Sequence, residues 1–452
     1  MSSPNDRPAD RLEPPLLDSP GTPDRWLVLL LVAATYFMLY LHRSVLNSVQ
    51  PPLIADLKLT DEQVGLLGTW FFFPYALAQL GMGYLGDRFR RRTVLYASLL
   101  GSVIALALMG LVRTFPELLA ARVLMAIAQS ASVPAIASTI ADSFTPRTRS
   151  TAVGIYLGSY NLALVIGGKY GGKIADFTWT IPSATGGLDQ HVAGWRMAMF
   201  IFAIAGALVA LALFLWLREP PRSERLAEGG LGAAGAPLSR TILTILRVPT
   251  FWAIGGTFLL TAIVILAIQF WSQRYLHDRF GLNLEEAGLQ ATIWIQGGTI
   301  CGLFCGGRLG DLSARRWVSG RTAVQLAGLF VAAPALRAFA SADSVAMLHV
   351  PMLIYGFGIG LYQANLWTTT FEVIDPAARS TAIGLLNVAA GFGSWSNALM
   401  GGYQGFLGGL GNTLAALSLL IGASLLLVIV NMKFLLPHDY NGPLRGHPPR
   451  SV

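Results

Sequence analysis

Twelve apolar stretches, each near the ~20 residues that a bilayer-crossing helix needs, constrain this chain more than any other feature. They run 26–49, 62–84, 93–113, 117–142, 148–172, 196–217, 249–272, 286–308, 321–340, 345–371, 379–402 and 411–434. In lipid a span must satisfy its own backbone N–H and C=O groups, so stretches of this length are helices. A longer polar segment, 218–248, parts the sixth from the seventh. The expected organisation is a tail (1–24), a first bundle of six helices (25–217), a linker (218–248), a second bundle of six (249–436) and a tail (437–452). The expected class is an all-α integral membrane protein, two pseudo-symmetric six-helix bundles with twelve transmembrane helices.

Composition agrees. Charged residues make up 12% of the chain and hydrophobic ones 54%, whereas a soluble domain carries roughly a quarter charged residues. This argues against a soluble enzyme, a disordered protein and a nucleic-acid binder. The net charge of +8 comes from short arginine clusters between apolar stretches, which reads as membrane topology. With both termini placed inside, inner segments hold about 21 Lys and Arg, and outer segments hold Lys58, Arg113, Lys173, Arg196, Arg274, Arg279 and Arg337. The positive-inside rule then predicts cytosolic termini and a cell (inner) membrane location. The Pro-rich residues 1–24 have no basic stretch leading into a short apolar core, so they read as a tail and not a signal peptide. Cys301 and Cys305, one helical turn apart, read as small packing residues. No metal, cofactor, nucleic acid or obligate protein partner is expected, only the bilayer and a solute.

The two halves repeat. Gly83-Tyr-Leu-Gly-Asp-Arg-Phe-Arg-Arg-Arg92 follows the second span, and Gly307-Arg-Leu-Gly-Asp-Leu-Ser-Ala-Arg-Arg316 follows the eighth, 224 positions on. Asp142, Pro146 and Arg149-Ser-Thr-Ala-Val-Gly154 join spans four and five; Glu372, Pro376 and Arg379-Ser-Thr-Ala-Ile-Gly384 join ten and eleven, 230 positions on. A parallel repeat implies a pseudo-two-fold axis along the membrane normal, with a solute site between the halves near the midplane. The doubled G-x-L-x-D-R-x-x-R-R loop and the six-plus-six pattern resemble the major facilitator superfamily over residues ~25–436. Arg90 stands where that loop usually has glycine. The resemblance implies a cytosolic latch. In it Asp87, Arg88, Arg91, Asp142 and Arg149 in one half, and Asp311, Glu372 and Arg379 in the other, pair when the protein faces outward and part when it faces inward.

Charges within the spans point to the solute. Of the 24 acidic residues none lies in the middle of a span, yet Arg43 and Arg122 do. A buried arginine costs about 2.5–3.5 kcal/mol on insertion scales and ordinarily has a partner. With no carboxylate at that depth, the solute is a candidate partner. On a rise of 1.5 Å per residue, Arg43 sits ~7 Å and Arg122 ~10 Å to the outer side of their span centres. Lys169 sits ~13 Å out, at the mouth or snorkelling to the interface. The second half offers Gln269, Trp271, Gln296, Tyr362, Gln363, Asn365, Trp367, Asn387 and Asn397. This set suits an anion with a polar body, its acid end on arginine and the rest on amides and rings.

Leu39-Tyr40-Leu-His42-Arg43 resembles the N-Y-x-D-R motif of the anion:cation symporter family and of the related spinster lipid transporters. Arg122 followed by Gln129 is similar to that family's R-x-x-x-G-x-x-E, and Tyr75 with Gln79 fits its Y-A-L-x-Q pattern. The resemblance implies organic-anion transport, often with protons, and carboxylate binding by Arg43 and Arg122. Both departures fall on the family's proton carriers: His42 replaces the aspartate and Gln129 the glutamate. Ordinary carboxylate proton coupling is therefore expected to be absent. Uniport, anion exchange and coupling through His42, whose ordinary pKa is ~6.5, stay open.

Other readings are a spinster-like carrier of lysolipids, a drug exporter and a transporter-derived sensor. Phe71, Phe72 and Phe73 suit the first. The absence of a membrane acid and of the drug antiporters' G-P-x-x-G-G segment counts against the second, and the short tails against the third. No buried nucleophile, metal cluster or acid–base pair suggests an enzyme. The loop 173–195 is a cap or a plain connector.

Overall fold

The computed structural model describes residues 24–144, 146–181, 190–217, 238–375 and 378–440; side chains of 80–88, 141, 146, 147, 149, 150, 181, 190, 191, 238 and 380 lie outside the description. Twelve long helices cross between two faces. They are α1 (Arg25–Ser48), α2 (Asp61–Arg88), α3 (Arg91–Leu111), α4 (Phe115–Ser130 and Ser132–Ser143), α5 (Pro146–Ala175) and α6 (Gly194–Trp216). The second half holds α7 (Pro249–Phe280), α8 (Leu284–Ala314), α9 (Gly320–Ala340), α10 (Val345–Val373), α11 (Arg379–Gly393 and Trp395–Tyr403) and α12 (Leu410–Val430). After α12 one π-helical turn, Asn431–Leu435, leads into Leu436–Asp439. Twelve crossings leave residues 24 and 440 on one face, called here the chain-end face. A short antiparallel ribbon, β1 (Trp179–Ile181) with β2 (Gln190–Val192), lies between α5 and α6 at the far face.

Nine of the described helices are long and apolar enough by themselves to cross a bilayer. Three further spans are α2, α8 and α11. They press against the opposite half: α2 against α11 and α8 against α5. Their partly polar sides meet protein instead of lipid.

Two spans that the hydropathy pattern reads as continuous are interrupted. In α4 the break falls at Ala131. Pro134 has no N–H to give to the carbonyl of Ser130, and Ser132 Oγ donates to the carbonyl of Gln129 at 2.6 Å. In α11 the break falls at Ser394, whose Oγ donates to Gly391 O at 2.6 Å. At the other extreme α7 runs on to Phe280, past the expected end near 272, and stops at Gly281 with φ +65°. That left-handed conformation suits glycine.

The halves close on each other at the far face. Gly168 and Gly288 bring α5 and α8 so near that a Cβ on either would run into the other's backbone. Lys169 and Lys173 reach Glu285 at 3.9 and 3.7 Å. The Asp176 carboxylate accepts the N–H groups of Leu284 and Glu285 at the start of α8, both at 3.2 Å. On the other side Arg274 pairs with Asp61 at 2.6 Å. Thr69 Oγ1 donates to Ser394 O at 2.9 Å, and Ser394 Oγ donates back to Thr69 O at 3.3 Å. At the chain-end face the described ion pairs, Arg91 with Asp142 and Arg321 with Asp311 and Glu372, each lie within one half. The described contacts thus hold the two halves together at the far face.

Candidate functional site

A cavity of about 850 Å³ lies between the halves. Its first wall carries Tyr36, Tyr40, Arg43, Ser44, Asn47, Tyr75, Gln79, Arg122 and Tyr160. Its second carries Phe258, Gln269, Gln363, Trp367, Phe371 and Asn387. Among the described residues no aspartate or glutamate lines it.

Arg43 anchors the first wall. Its Nε donates to Gln129 Oε1 at 2.6 Å. Its guanidinium lies 4.3 Å from the Tyr40 ring, 4.6 Å from Tyr75 and 5.0 Å from Phe71. Nη2 is buried with no hydrogen-bond partner among the described residues. Arg122, 1% exposed, stacks on the same Phe71 at 4.4 Å and donates from Nε to Leu67 O at 3.4 Å. Two cations in a membrane core are thus supported mainly by ring faces, each worth about 0.5–2 kcal/mol. The carboxylate that ordinarily accompanies a buried arginine is replaced by aromatics and amides. Arg43 is held by an amide oxygen and Arg122 by a backbone carbonyl.

Tyrosines extend the wall. Tyr36 meets Tyr40 at 4.7 Å and Tyr156 at 4.9 Å; Tyr40 meets Tyr160 at 4.4 Å, all edge to face. Pairs four apart in sequence lie on one helix face, so Tyr36/Tyr40 on α1 and Tyr156/Tyr160 on α5 form a ladder. Two hydrogen bonds cross the cavity from this region. Gln269 Nε2 donates to Tyr160 Oη at 2.7 Å, and Asn387 Nδ2 donates to Gln79 Oε1 at 3.2 Å. Nearby, Asn47 Nδ2 donates to Gln269 O at 3.0 Å.

Several expected wall residues are elsewhere. His42 turns away from the cavity toward α3 and α6, where Nδ1 sits 2.9 Å from Ser102 Oγ and Nε2 3.1 Å from Phe202 O. On α1 it is adjacent to Arg43, and successive helical residues point about 100° apart. Gln129 lies behind Arg43 and not on the wall. Asn365 is spent holding α10 to α8, donating to Gly306 O at 2.9 Å. Gln296, Trp271 and Tyr362 are buried off the wall. Asn397 packs on Gly68 of α2. Lys169 belongs to the far-face contact with Glu285.

At the chain-end face the repeat is more extensive than the loop motifs suggested. Arg91 pairs with Asp142, and Arg321 pairs with Glu372 at 2.9 Å. Both arginines and both acids are 230 positions apart. Arg321 also holds Asp311 at 2.8 Å. Arg379, the expected partner of these acids, instead donates to Phe371 O at 2.8 Å and lies over the Phe371 ring. The side chains of Asp87, Arg88 and Arg149 lie outside the described residues.

The sequence profile of the Major Facilitator Superfamily matches residues 32–396. The chain belongs to this superfamily. The hexuronate transporter of Bacillus subtilis (strain 168) is 24% identical over 365 residues, 78% of this chain and 81% of that protein. The membrane sensor protein UhpC of Escherichia coli (strain K12) is 26% identical over 292 residues, 62% of this chain and 63% of that one. Among solved structures, a bacterial homolog of the human lysosomal transporter spinster, inward-facing and unoccupied, superposes with a TM-score of 0.80. It is 22% identical, covering 94% of this chain and 100% of that one. This superfamily member is therefore a multi-pass membrane transporter by family and not an enzyme.

Site residues missed in the sequence were Tyr36, Tyr160, Asn47 and Ser44 on the wall and Arg321 at the chain-end face. Two signals were available. The i, i+4 tyrosine pairs mark one face of each helix, and the 230-residue offset, carried back from Asp142 and Glu372, leads from Arg91 to Arg321.

Proposed function

We propose that this protein moves small organic anions, sugar acids or other carboxylates, by alternating access between its two halves. The observation that carries the reading is the pair Arg43 and Arg122, which share Phe71 on a cavity wall with no acidic lining residue among those described. A carboxylate or phosphate there makes charge-assisted hydrogen bonds to two guanidinium groups. Gln79, Gln269, Gln363 and Asn387 offer donors and acceptors to the rest of the solute, and Tyr40, Tyr75 and Trp367 offer ring faces. The named hexuronate relative supports the same class.

Transport proceeds without carboxylate-based proton coupling. Gln129 cannot titrate, and the wall offers no aspartate or glutamate among its described residues. Of uniport, exchange and coupling through His42, the first two are favoured, since the His42 ring faces Ser102 and Phe202 away from the cavity. The chain-end face is cytosolic in this reading, both termini lie in the cytosol, and the membrane is the cell (inner) membrane. Asp87, Arg88, Arg91, Asp142 and Arg149, with Asp311, Glu372 and Arg379, form the gate at that face. Arg321 joins them.

A second reading, a lysolipid carrier, is supported by the aromatic wall and by the spinster-like fold. The test is uptake by proteoliposomes of labelled glucuronate, glucarate, a simple monocarboxylate and a lysophospholipid. A sugar acid taken up by wild type and lost in Arg43→Ala supports the first reading. Uptake of lysophospholipid alone supports the second. Uptake of none of these by active-folded protein overturns both.

A further inference from the structure

His42 and Ser102 touch no part of the cavity, yet they terminate a hydrogen-bond chain that begins at its principal cation. Arg43 Nε–H donates to Gln129 Oε1 at 2.6 Å. Gln129 Nε2 has two protons: one goes to Leu39 O at 3.3 Å and the other to Ser102 Oγ at 2.7 Å. Reversing this amide would set its NH₂ against the arginine N–H and its oxygen against the Leu39 carbonyl, so its orientation is determined. Ser102 Oγ therefore accepts from Gln129 and has its own proton to give. His42 Nδ1 stands 2.9 Å away as the acceptor. Its other nitrogen faces the carbonyl of Phe202 at 3.1 Å and must be the one that carries hydrogen.

Every link thus points one way: Arg43 to Gln129 to Ser102 to His42 to the α6 backbone. Chains with a single donor direction strengthen link by link in a low-dielectric core. All four side chains are buried. Gly206 on α6 has room only for hydrogen beside the His42 ring, where a Cβ would come within 2.6 Å of Cε1 and Nε2. The ring therefore cannot swing out of line on that side.

We infer that His42 and Ser102 are positioning residues for the anion site: through Gln129 they hold the guanidinium of Arg43 with Nε turned to protein and the Nη edge left for the ligand. The buried, unpartnered Nη2 belongs to that edge. The inference deepens the anion-binding reading and rests on it for its transport readout. It assigns His42 a fixed structural tautomer, Nε2–H, in place of the proton-carrying role that its position in the first span suggested.

The test uses full-length protein in proteoliposomes with D-glucuronate as probe, together with ¹⁵N-labelled arginine and histidine. Ser102→Ala removes the donor to His42 and the acceptor for Gln129. It is expected to raise the glucuronate KM about tenfold, the equivalent of roughly 1.4 kcal/mol, with kcat within about twofold. Ser102→Thr keeps the hydroxyl and is expected to return KM to within about threefold of wild type. In wild type the Arg43 Nε–H signal, assigned by its loss in Arg43→Lys, should be protected from exchange, and His42 should show the Nε2–H tautomer. Ser102→Ala should abolish that protection. An unprotected Arg43 Nε–H or an Nδ1–H tautomer in wild type overturns the inference, as does a Ser102→Ala protein with unchanged KM and unchanged protection. If wild type takes up no glucuronate, that count goes against the anion reading, and the two spectroscopic signatures still decide the positioning chain.

Discussion

Arg43 and Arg122 rest on one phenylalanine ring: their guanidinium carbons are 5.0 and 4.4 Å from the centre of Phe71. Like charges this close repel, and the repulsion is strongest where water is scarce. The quadrupole of a shared ring and the dipoles of Gln129 and the Leu67 carbonyl offset part of it. The proposed anion would offset the remainder. The pair therefore suits the negatively charged solute proposed above.

Replacing either arginine by alanine is expected to weaken binding of a sugar acid by about 1.5–3 kcal/mol, the worth of a hydrogen bond to a charged group. That corresponds to roughly 10- to 150-fold in affinity. Arg43→Lys should rescue little of it. A lysine has neither the planar face that Tyr40 and Tyr75 cover nor an Nε–H for Gln129. Isothermal titration or a thermal-shift series in detergent measures both changes; full rescue by lysine would contradict the geometry.

Uptake should be indifferent to a proton gradient. With glutamine at 129 and no acidic group among the described wall residues, the cavity holds no carboxylate to carry protons across. Counterflow of labelled against unlabelled solute should persist when the membrane is made proton-leaky. Accumulation that collapses on adding a protonophore, at constant membrane potential, would contradict this.

Gly168 and Gly288 set how tightly the far face shuts. Leucine at either position cannot fit between α5 and α8 and should hold that face open. Cysteines placed near Gln269 should then become more reactive to a membrane-impermeant thiol reagent added from the far side, with net transport falling at least about tenfold, since tight overpacking costs about 1–3 kcal/mol or more. Unchanged labelling would show that the α5–α8 contact does not control access.

Arg321→Ala strips two acids, Asp311 and Glu372, of their shared partner. Glu372 is only partly accessible, so the loss should destabilise the protein by about 1–3 kcal/mol. The Glu372→Gln variant should be milder, because an amide can still accept from Arg321 without leaving a buried charge. The mirror experiment with Arg91 and Asp142 should show the same order. A melting series of the four proteins checks it.

Much of this molecule is legible in one sequence. Spans of ~20 apolar residues mean helices because lipid offers a backbone no hydrogen-bond partners. The polar segment 218–248 and the repeated loops mark two related halves. Arg43 and Arg122 stand out because a charge in the middle of a span is costly, Tyr40, Tyr75 and Gln79 through the family resemblance, and Gln269, Gln363, Trp367 and Asn387 as polar and aromatic groups of the second half; all nine line the cavity.

Helix phase and neighbours decided the remainder. His42 and Arg43 are adjacent in the chain, yet one faces the α6 backbone and the other the cavity. Asn365 reads as a wall residue until α10 is seen packed on the glycine-rich face of α8, which takes its amide. Arg379 follows the acid it was expected to bind, but Arg321 of α9 reaches Glu372 first. The sequence by itself determined that this chain crosses a membrane twelve times in two related halves and carries unneutralised positive charge inside. Only the tertiary structure decided which polar groups satisfy one another and which are left facing the cavity, because hydrogen-bond pairing depends on contacts between helices that hydropathy and spacing along one chain do not specify.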